Sequence, residues 1–266
     1  NFNIIKKYLP LCKNLISISK SITDRYIDLG IKSKAIHKIP NGVSIKKFRQ
    51  LDKKDRMAIR KSYGILNDEK VLITLGRNHP KKNYSFLLKL IKKMMMRKIK
   101  FKFFFIGQGV NKLKDEISLN NLSDRIILVD TSDNFDNNDN QYPSLKIIKF
   151  LLISDIFVFP SVLESFGVVI IEAMAAGLPI IANDVPGSKD IIINKKTGFL
   201  SKKINDTESF IRQIEILLSN KKLVSKMKFS CIQESRKYDW EKICLIYLNL
   251  YKTIIEKNLR NEIKYN

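Results

Sequence analysis

Glu164-Ser-Phe-Gly-Val-Val-Ile-Ile-Glu172 follows directly on the apolar run Ile156-Phe-Val-Phe-Pro160. The run reads as a buried strand and residues 168–176 as a helix, so the segment between them is a strand-to-helix turn. An α/β fold binds phosphates at such a junction, because backbone N–H groups and the helix dipole meet there. The turn carries one carboxylate, Glu164, and the helix carries another, Glu172. Carboxylates accept hydrogen bonds from uncharged sugar hydroxyls. The element is therefore suited to a ligand that has both a phosphate and a sugar.

The same alternation runs outward from this stretch. Strands are expected at 15–19 and 35–39, then at 71–75, 101–106, 126–129, 156–159, 179–182 and 198–200. Helices are expected at 20–29, 84–97, 110–120, 144–154, 168–176, 188–193, 207–219, 221–236 and 240–261. The strands are continuous apolar runs, which is the pattern of a parallel sheet buried on both faces. Residues 44–55 are polar and basic and read as a linker or surface excursion. Residues 131–141 are rich in Asn and Asp, have few apolar side chains and read as a mobile surface loop.

At 266 residues and 44% hydrophobic, the chain can bury a large core. Its net charge is +23. A polyanion partner would explain this, whether nucleic acid, an anionic membrane surface or an anionic acceptor. A lysine-, isoleucine- and asparagine-rich codon bias explains it too, and the lysines are spread along the chain. No nucleic-acid-binding motif is present, so nucleic acid is not expected as a partner. No apolar run approaches the roughly 20 residues of a membrane span. Cys12, Cys231 and Cys244 lack metal-ligand spacing and read as reduced, buried thiols of a cytosolic protein. The first residue is Asn1, so a processed product or a fragment is expected.

Two further motifs end strands. Leu75-Gly-Arg-Asn-His-Pro-Lys-Lys82-Asn83 places Gly76, Arg77 and Lys82 beyond a strand's carboxyl end. Arg77 can grip phosphate oxygens with its planar fork, and Lys82 adds a point charge. A solvated basic loop is the alternative. Phe104-Phe-Ile-Gly-Gln-Gly109 is a tight strand-to-helix turn, and it fails as a dinucleotide fingerprint because no third glycine follows. Glu164 and Glu172, taken alone, could be an acid/base pair of glycosidase type or ordinary carboxylates near a helix start.

Taken together, these pieces resemble one family. Phe157-Val-Phe-Pro-Ser161, Glu164-Ser-Phe-Gly167, Glu172-Ala-Met-Ala-Ala-Gly-Leu-Pro-Ile-Ile181, Pro186-Gly187 and Lys196-Thr-Gly-Phe-Leu200 are similar to the C-terminal domain of retaining glycosyltransferases of family 4, the glycosyl transferases group 1. Ile39-Pro-Asn-Gly-Val43, Gly76-Arg77, Lys82-Asn83, Ile106-Gly-Gln-Gly109, Asp155 and Asp239-Trp240 fall in the family's order, so the resemblance runs from about residue 15 to 251. It implies a GT-B fold: a Rossmann-like parallel sheet with helices on both faces, plus part of a second such domain. Residues 1–42 would be the incomplete end of the N-terminal acceptor domain. Residues 43–240 would be the nucleotide-sugar-binding domain, and 241–266 a C-terminal helix packing back toward the first.

The resemblance also implies roles. Arg77 and Lys82 would hold the diphosphate of a UDP- or GDP-sugar beside Gly76 and stabilise the leaving group. Glu164 would face the transferred sugar and Glu172 the ribose. Ser165, Phe166, Gly167 and Val168 would present the helix start to the donor. No metal would be needed, and the acceptor would be a glycan or a lipid-linked sugar of surface polysaccharide synthesis. The location would be the cytoplasm, at the inner face of the membrane.

Two departures stand out. Asp130-Thr131 and the Asn/Asp tract replace a usual glycine near the nucleobase, and Ser165 replaces the commoner glycine. The family's Gly-rich loop and catalytic histidine would lie upstream of Asn1. His37 and His79 match neither and read as turn or surface residues. A non-catalytic remnant that binds nucleotide-sugar only, and a polyanion-binding module, remain as other readings.

Overall fold

A computed structural model describes residues 6–48, 51–132 and 143–263. Its main sheet has six strands: β3 (Lys70–Leu75), β4 (Phe101–Gly107), β5 (Ile126–Asp130), β6 (Ile156–Phe159), β7 (Ile180–Asn183) and β8 (Gly198–Ser201). Their order is β5-β4-β3-β6-β7-β8, and every pairing is parallel. The chain adds strands in one direction from β3 and then returns to place β6 on β3's other side. Between the carboxyl ends of β3 and β6 the connections leave in opposite directions and open a crevice. The two motifs singled out in the sequence, 76–82 and 160–172, are those connections.

Alternate residues explain the layering. Along β4, Phe104 and Ile106 enter one core and Phe103 and Phe105 the other. The first core takes Ile148 and Leu151 from one helix (Leu145–Ile153) and Ile170 and Ala173 from another (Val168–Ala175). The second takes Leu87 and Ile91 from Tyr84–Met96 and Phe210 and Ile214 from Thr207–Ser219. Helices therefore cover both faces, as expected from the uninterrupted apolar strands.

The N-terminal portion is a smaller parallel pair, β1 (Leu15–Ser17) and β2 (Ile36–Lys38), joined through the helix Lys20–Asp28. Ser19 caps that helix by accepting the N–H of Ile22. Hydrogen bonds fix the pair against the main sheet's loops. Ser19 Oγ donates to the Ser165 carbonyl at 2.7 Å. The Ser21 N–H and hydroxyl donate to Asp190 Oδ2 at 3.0 and 2.9 Å. At the crossover, Val43 N–H donates to the Tyr238 carbonyl and Trp240 N–H to the Val43 carbonyl. The final helix, Trp240–Ile263, runs past Cys12, Lys32 and His37 and forms a groove with them.

Some sequence expectations need correction. Residues 44–55 are not a plain linker: Ile45–Lys47 form a 3-10 turn, Phe48 is buried, and a helix spans Lys53–Ser62. That helix is held by charge. Arg56 and Arg60, one turn apart, reach Asp155 at 2.7 and 2.8 Å. Cys231 is buried, but Cys12 and Cys244 are exposed. His37 sits in β2 and bonds Asn14. The stretch expected as one helix over 110–120 is a 3-10 turn, Val110–Leu113, followed by a short helix, Lys114–Leu119. Of the tract expected to be mobile, only Thr131 and Ser132 lie within the described residues. No helix among the described residues is long and apolar enough to cross a membrane.

Candidate functional site

At the crevice lies a cleft of about 630 Å³. Arg77, His79, Lys81 and Lys82, from the connection after β3, line one part of it. Leu163, Glu164 and Ser165, from the connection after β6, line another, with Pro186 beside them. Ser21, Ile22 and Arg25, on the helix Lys20–Asp28, form the facing wall.

The two motifs meet in an ion pair: Lys82 Nζ lies 2.7 Å from Glu164 Oε2, and both side chains are mostly covered. The ammonium also sits 4.7 Å from the centroid of the Phe159 ring. A desolvated cation gains from such a ring face. Arg77 is exposed and has no ion pair among the described residues. The loop that carries it is braced from behind, where the Tyr84 hydroxyl donates to the Gly76 carbonyl at 2.6 Å. His79 Nδ1 accepts the Lys81 N–H, which turns the loop into the 3-10 turn Pro80–Lys82.

Gly167, with φ 93°, is the residue before the helix Val168–Ala175. The backbone N–H groups of Phe166, Gly167 and Val168 have no partner among the described residues. An anion or a hydroxyl could satisfy them, assisted by the helix dipole. Gly187 holds this loop from below. Its φ is 84°, and a Cβ there would stand 2.6 Å from the Glu164 carbonyl oxygen. A side chain at 187 would collide with the Glu164–Phe166 turn.

Glu172 is placed differently from the other candidates. It lies just over one turn into the helix, only 2% exposed, and does not line this cleft. Its Oε1 has no hydrogen-bond partner, and burial pushes its carboxyl up to about 7. Phe166 is buried and faces a neighbouring hollow formed with Ser17, Lys38, Asp190 and Tyr238. The structure thus brings Arg77, Lys82, Glu164 and Ser165 to one cleft. Gly76 packs against Lys82 and Gly167 lies beside Glu164, just behind that lining, while Phe166 faces the neighbouring hollow, Val168 opens the helix, and Glu172 lies buried in the helix beyond the loop.

Asp130 has a local job. It accepts N–H bonds from Gly109, Asn111 and Ser132 and the Ser132 hydroxyl. Partial burial opposes ionisation, but these donors outweigh it and bring the carboxyl down to about 2. Its charge fixes the turn after β4. Among the described residues no three His, Cys, Asp or Glu side chains gather as a metal site.

Ser21, Arg25, His79 and Lys81 line the cleft and Ser19 ties its wall to Ser165, although none of them was expected from sequence as a site residue. Ser19 was the legible one, since it is a helix cap directly after a strand end. Arg25 carried no such signal, because it reaches the cleft only through the docking of two sheets.

Residues 55–237 match the family described as "Glycosyl transferases group 1". The chain belongs to this family. One relative is the UDP-Gal:alpha-D-GlcNAc-diphosphoundecaprenol alpha-1,3-galactosyltransferase of Escherichia coli. It is 27% identical over 209 residues, which is 77% of this chain and 50% of that protein. The capsular polysaccharide biosynthesis glycosyltransferase CapM of Staphylococcus aureus is 28% identical over 235 residues, 83% of this chain and 56% of that one. The chain thus spans about half the length of these relatives. Among solved structures, a glycosyltransferase from Rickettsia africae superimposes with a TM-score of 0.81 at 22% identity, covering 95% of this chain and 67% of the other. HepE from Anabaena, solved with UDP-glucose, gives 0.76 at 18% identity, covering 92% and 64%. These likenesses establish a GT-B type of fold, with the six-stranded parallel sheet as its Rossmann-like element.

Proposed function

We propose that this chain is the donor-binding part of a retaining glycosyltransferase. It would move a sugar from UDP or GDP to a glycan or lipid-linked acceptor during surface polysaccharide synthesis. The observation that supports this best is the convergence of Arg77, Lys82 and Glu164 on one cleft beside unpartnered N–H groups of a helix start. The names of the relatives supply the substrate classes: a UDP-sugar donor and a diphosphoundecaprenol-linked acceptor for the Escherichia coli protein, and capsular polysaccharide for CapM. UDP-glucose in HepE points to the same donor class.

In the chemistry proposed, the bond between sugar C1 and the diphosphate breaks, and the electron pair leaves on the phosphate oxygen. The acceptor oxygen bonds C1 on the same face, and its proton passes to the departing phosphate oxygen. Arg77 forks onto the phosphates. Lys82 exchanges Glu164 for the diphosphate, and Glu164 is then free to accept sugar hydroxyls. The two cations neutralise the leaving group, so no bound metal is needed. Glu172 would accept from the ribose hydroxyls. A net charge of +23 would draw the protein to the anionic inner face of a membrane, where a lipid-linked acceptor lies.

Calorimetric titration with UDP and with GDP tests the donor reading. Arg77→Ala should weaken binding of the preferred nucleotide by about 10- to 100-fold, the loss of a charge-assisted contact. Its thermal unfolding should be unchanged, because Arg77 is exposed. Equal affinity in the variant and the parent would remove the phosphate role from Arg77.

A further inference from the structure

The cleft holds more positive charge than the donor reading uses. Lys82 is matched by Glu164, and Arg77 is assigned to the donor phosphates. Arg25 and Lys81 are both exposed, and neither has an ion pair among the described residues. Like charges that share a cleft repel one another, and an anion is what relieves them. General basicity does not explain the set. Arginine makes up 10 of the 266 residues, yet two of the eleven residues lining the cleft are arginine.

The backbone that carries Arg25 is held in place. Its helix is tied to the donor side by the Ser19–Ser165 bond at 2.7 Å and by the two bonds from Ser21 to Asp190. Its guanidinium therefore belongs to the wall facing Arg77 and Lys82, on the side from which an acceptor would approach a sugar held at Glu164.

We propose that Arg25 on the facing wall and Lys81 on the connection after β3 together form a second anion subsite in this cleft, beside the donor phosphates, and that its ligand is the phosphate or diphosphate group of the acceptor. This rests on the donor reading above. An acceptor sugar linked to a diphosphate brings that anion to within one sugar ring of the reacting centre. The donor diphosphate is met by Arg77 and Lys82, so Arg25 and Lys81 are left for the acceptor.

The test titrates the 266-residue chain, saturated with UDP to fill the donor subsite, with inorganic pyrophosphate and with geranyl diphosphate. Both should bind, and Arg25→Ala and Lys81→Ala should each weaken both by about 10-fold. UDP affinity should stay within about twofold in both variants. Arg25→Lys, which keeps the charge but loses the fork, should recover part of the loss. Tighter binding of geranyl diphosphate than of pyrophosphate would assign the anion to a lipid-linked acceptor, and equal binding to a soluble phosphorylated one. The absence of any diphosphate binding to the UDP-saturated parent would overturn the proposal. So would a parallel loss of UDP affinity in Arg25→Ala, which would put Arg25 in the donor subsite. Should UDP fail to bind the parent at all, the donor reading itself falls. Titration with pyrophosphate alone would then decide Arg25: dependence on it upholds an anion subsite, and indifference removes it.

Discussion

Asp155→Ala is expected to destabilise the fold by about 3–5 kcal/mol, the cost of breaking a largely buried ion cluster by removing one sign of charge. Asp155 stands at the start of β6 and accepts from Arg56 Nη2 at 2.7 Å, Arg60 Nη2 at 2.8 Å and the Val71 N–H at 2.8 Å. The guanidinium groups also cap the carbonyls of Ile153 and Ser154 at the end of the preceding helix. Alanine would leave two guanidinium groups and a strand N–H without their acceptor. Replacing the whole cluster, as Asp155→Leu with Arg56→Met and Arg60→Met, should cost less than Asp155→Ala, because no charge is then stranded. The cluster also fixes a pH dependence. Burial alone would raise the Asp155 pKa, but the charges of Arg60 and Arg56 and the Val71 N–H outweigh it and hold the carboxyl below its ordinary range. A depressed folded-state pKa contributes stability that is present above the unfolded value, near 4, and is lost as pH falls through the folded one. Urea midpoints for parent and variant should therefore converge as pH drops from 7 toward 3. A difference under about 1 kcal/mol at neutral pH would reduce the cluster to surface pairs of little value.

The same cluster shows why part of the fold was not legible in the sequence. The main sheet could be read because β3, β4, β6 and β7 are apolar runs bounded by glycine and proline, a pattern that follows from burial on both faces. The helix Lys53–Ser62 could not. Its sequence, Lys-Lys-Asp-Arg-Met-Ala-Ile-Arg-Lys-Ser, offers only Met57, Ala58 and Ile59 as apolar residues, and Met57 is exposed. What seats it is Arg56 and Arg60 reaching Asp155, which lies 99 and 95 positions away. Hydrophobic periodicity is blind to that. The site divides in the same way. Gly76, Arg77 and Lys82, and Glu164 to Val168, lie on the two loops that the switch in strand order forces together, so strand ends alone located them. Arg25 sits on the smaller sheet's helix, and only the docking of two sheets brings it to the cleft. Of the cysteines expected to be buried, Cys231 is so because its helix packs on Leu178 and Thr197, whereas Cys12 and Cys244 are exposed, and no local pattern announces that.

Glu172→Gln is expected to stabilise the ligand-free protein while damaging nucleotide binding, so that one residue separates folding from function. In the folded chain Glu172 is 2% exposed and one of its oxygens has no partner. Burial pushes its carboxyl up to about 7, from an unfolded value near 4.3. A raised carboxyl pKa penalises the folded state as pH climbs from about 4 to 7, and the penalty then stays constant above 7. At pH 8 that penalty is on the order of 4 kcal/mol, taking about 1.4 kcal/mol per pKa unit. Glutamine carries no charge to desolvate, though its buried amide still lacks full hydrogen bonding, so a net gain of about 1–3 kcal/mol is expected at pH 8. Below about pH 4 the glutamate is protonated in both the folded and the unfolded chain, and the stabilisation of the variant should be gone. The binding side runs the other way. If Glu172 accepts from ribose hydroxyls, the bound nucleotide favours the carboxylate, and UDP binding near pH 7 must release protons from the parent. Calorimetry in buffers of different ionisation heat would detect that release, and Glu172→Gln should show none, together with an affinity lower by about 10-fold or more. A variant that is no more stable than the parent at pH 8 would mean that the buried carboxylate already has a partner. A variant that binds UDP as tightly as the parent, with the same proton release, would take the ribose away from Glu172 and leave it a packing residue of the helix that opens at Gly167.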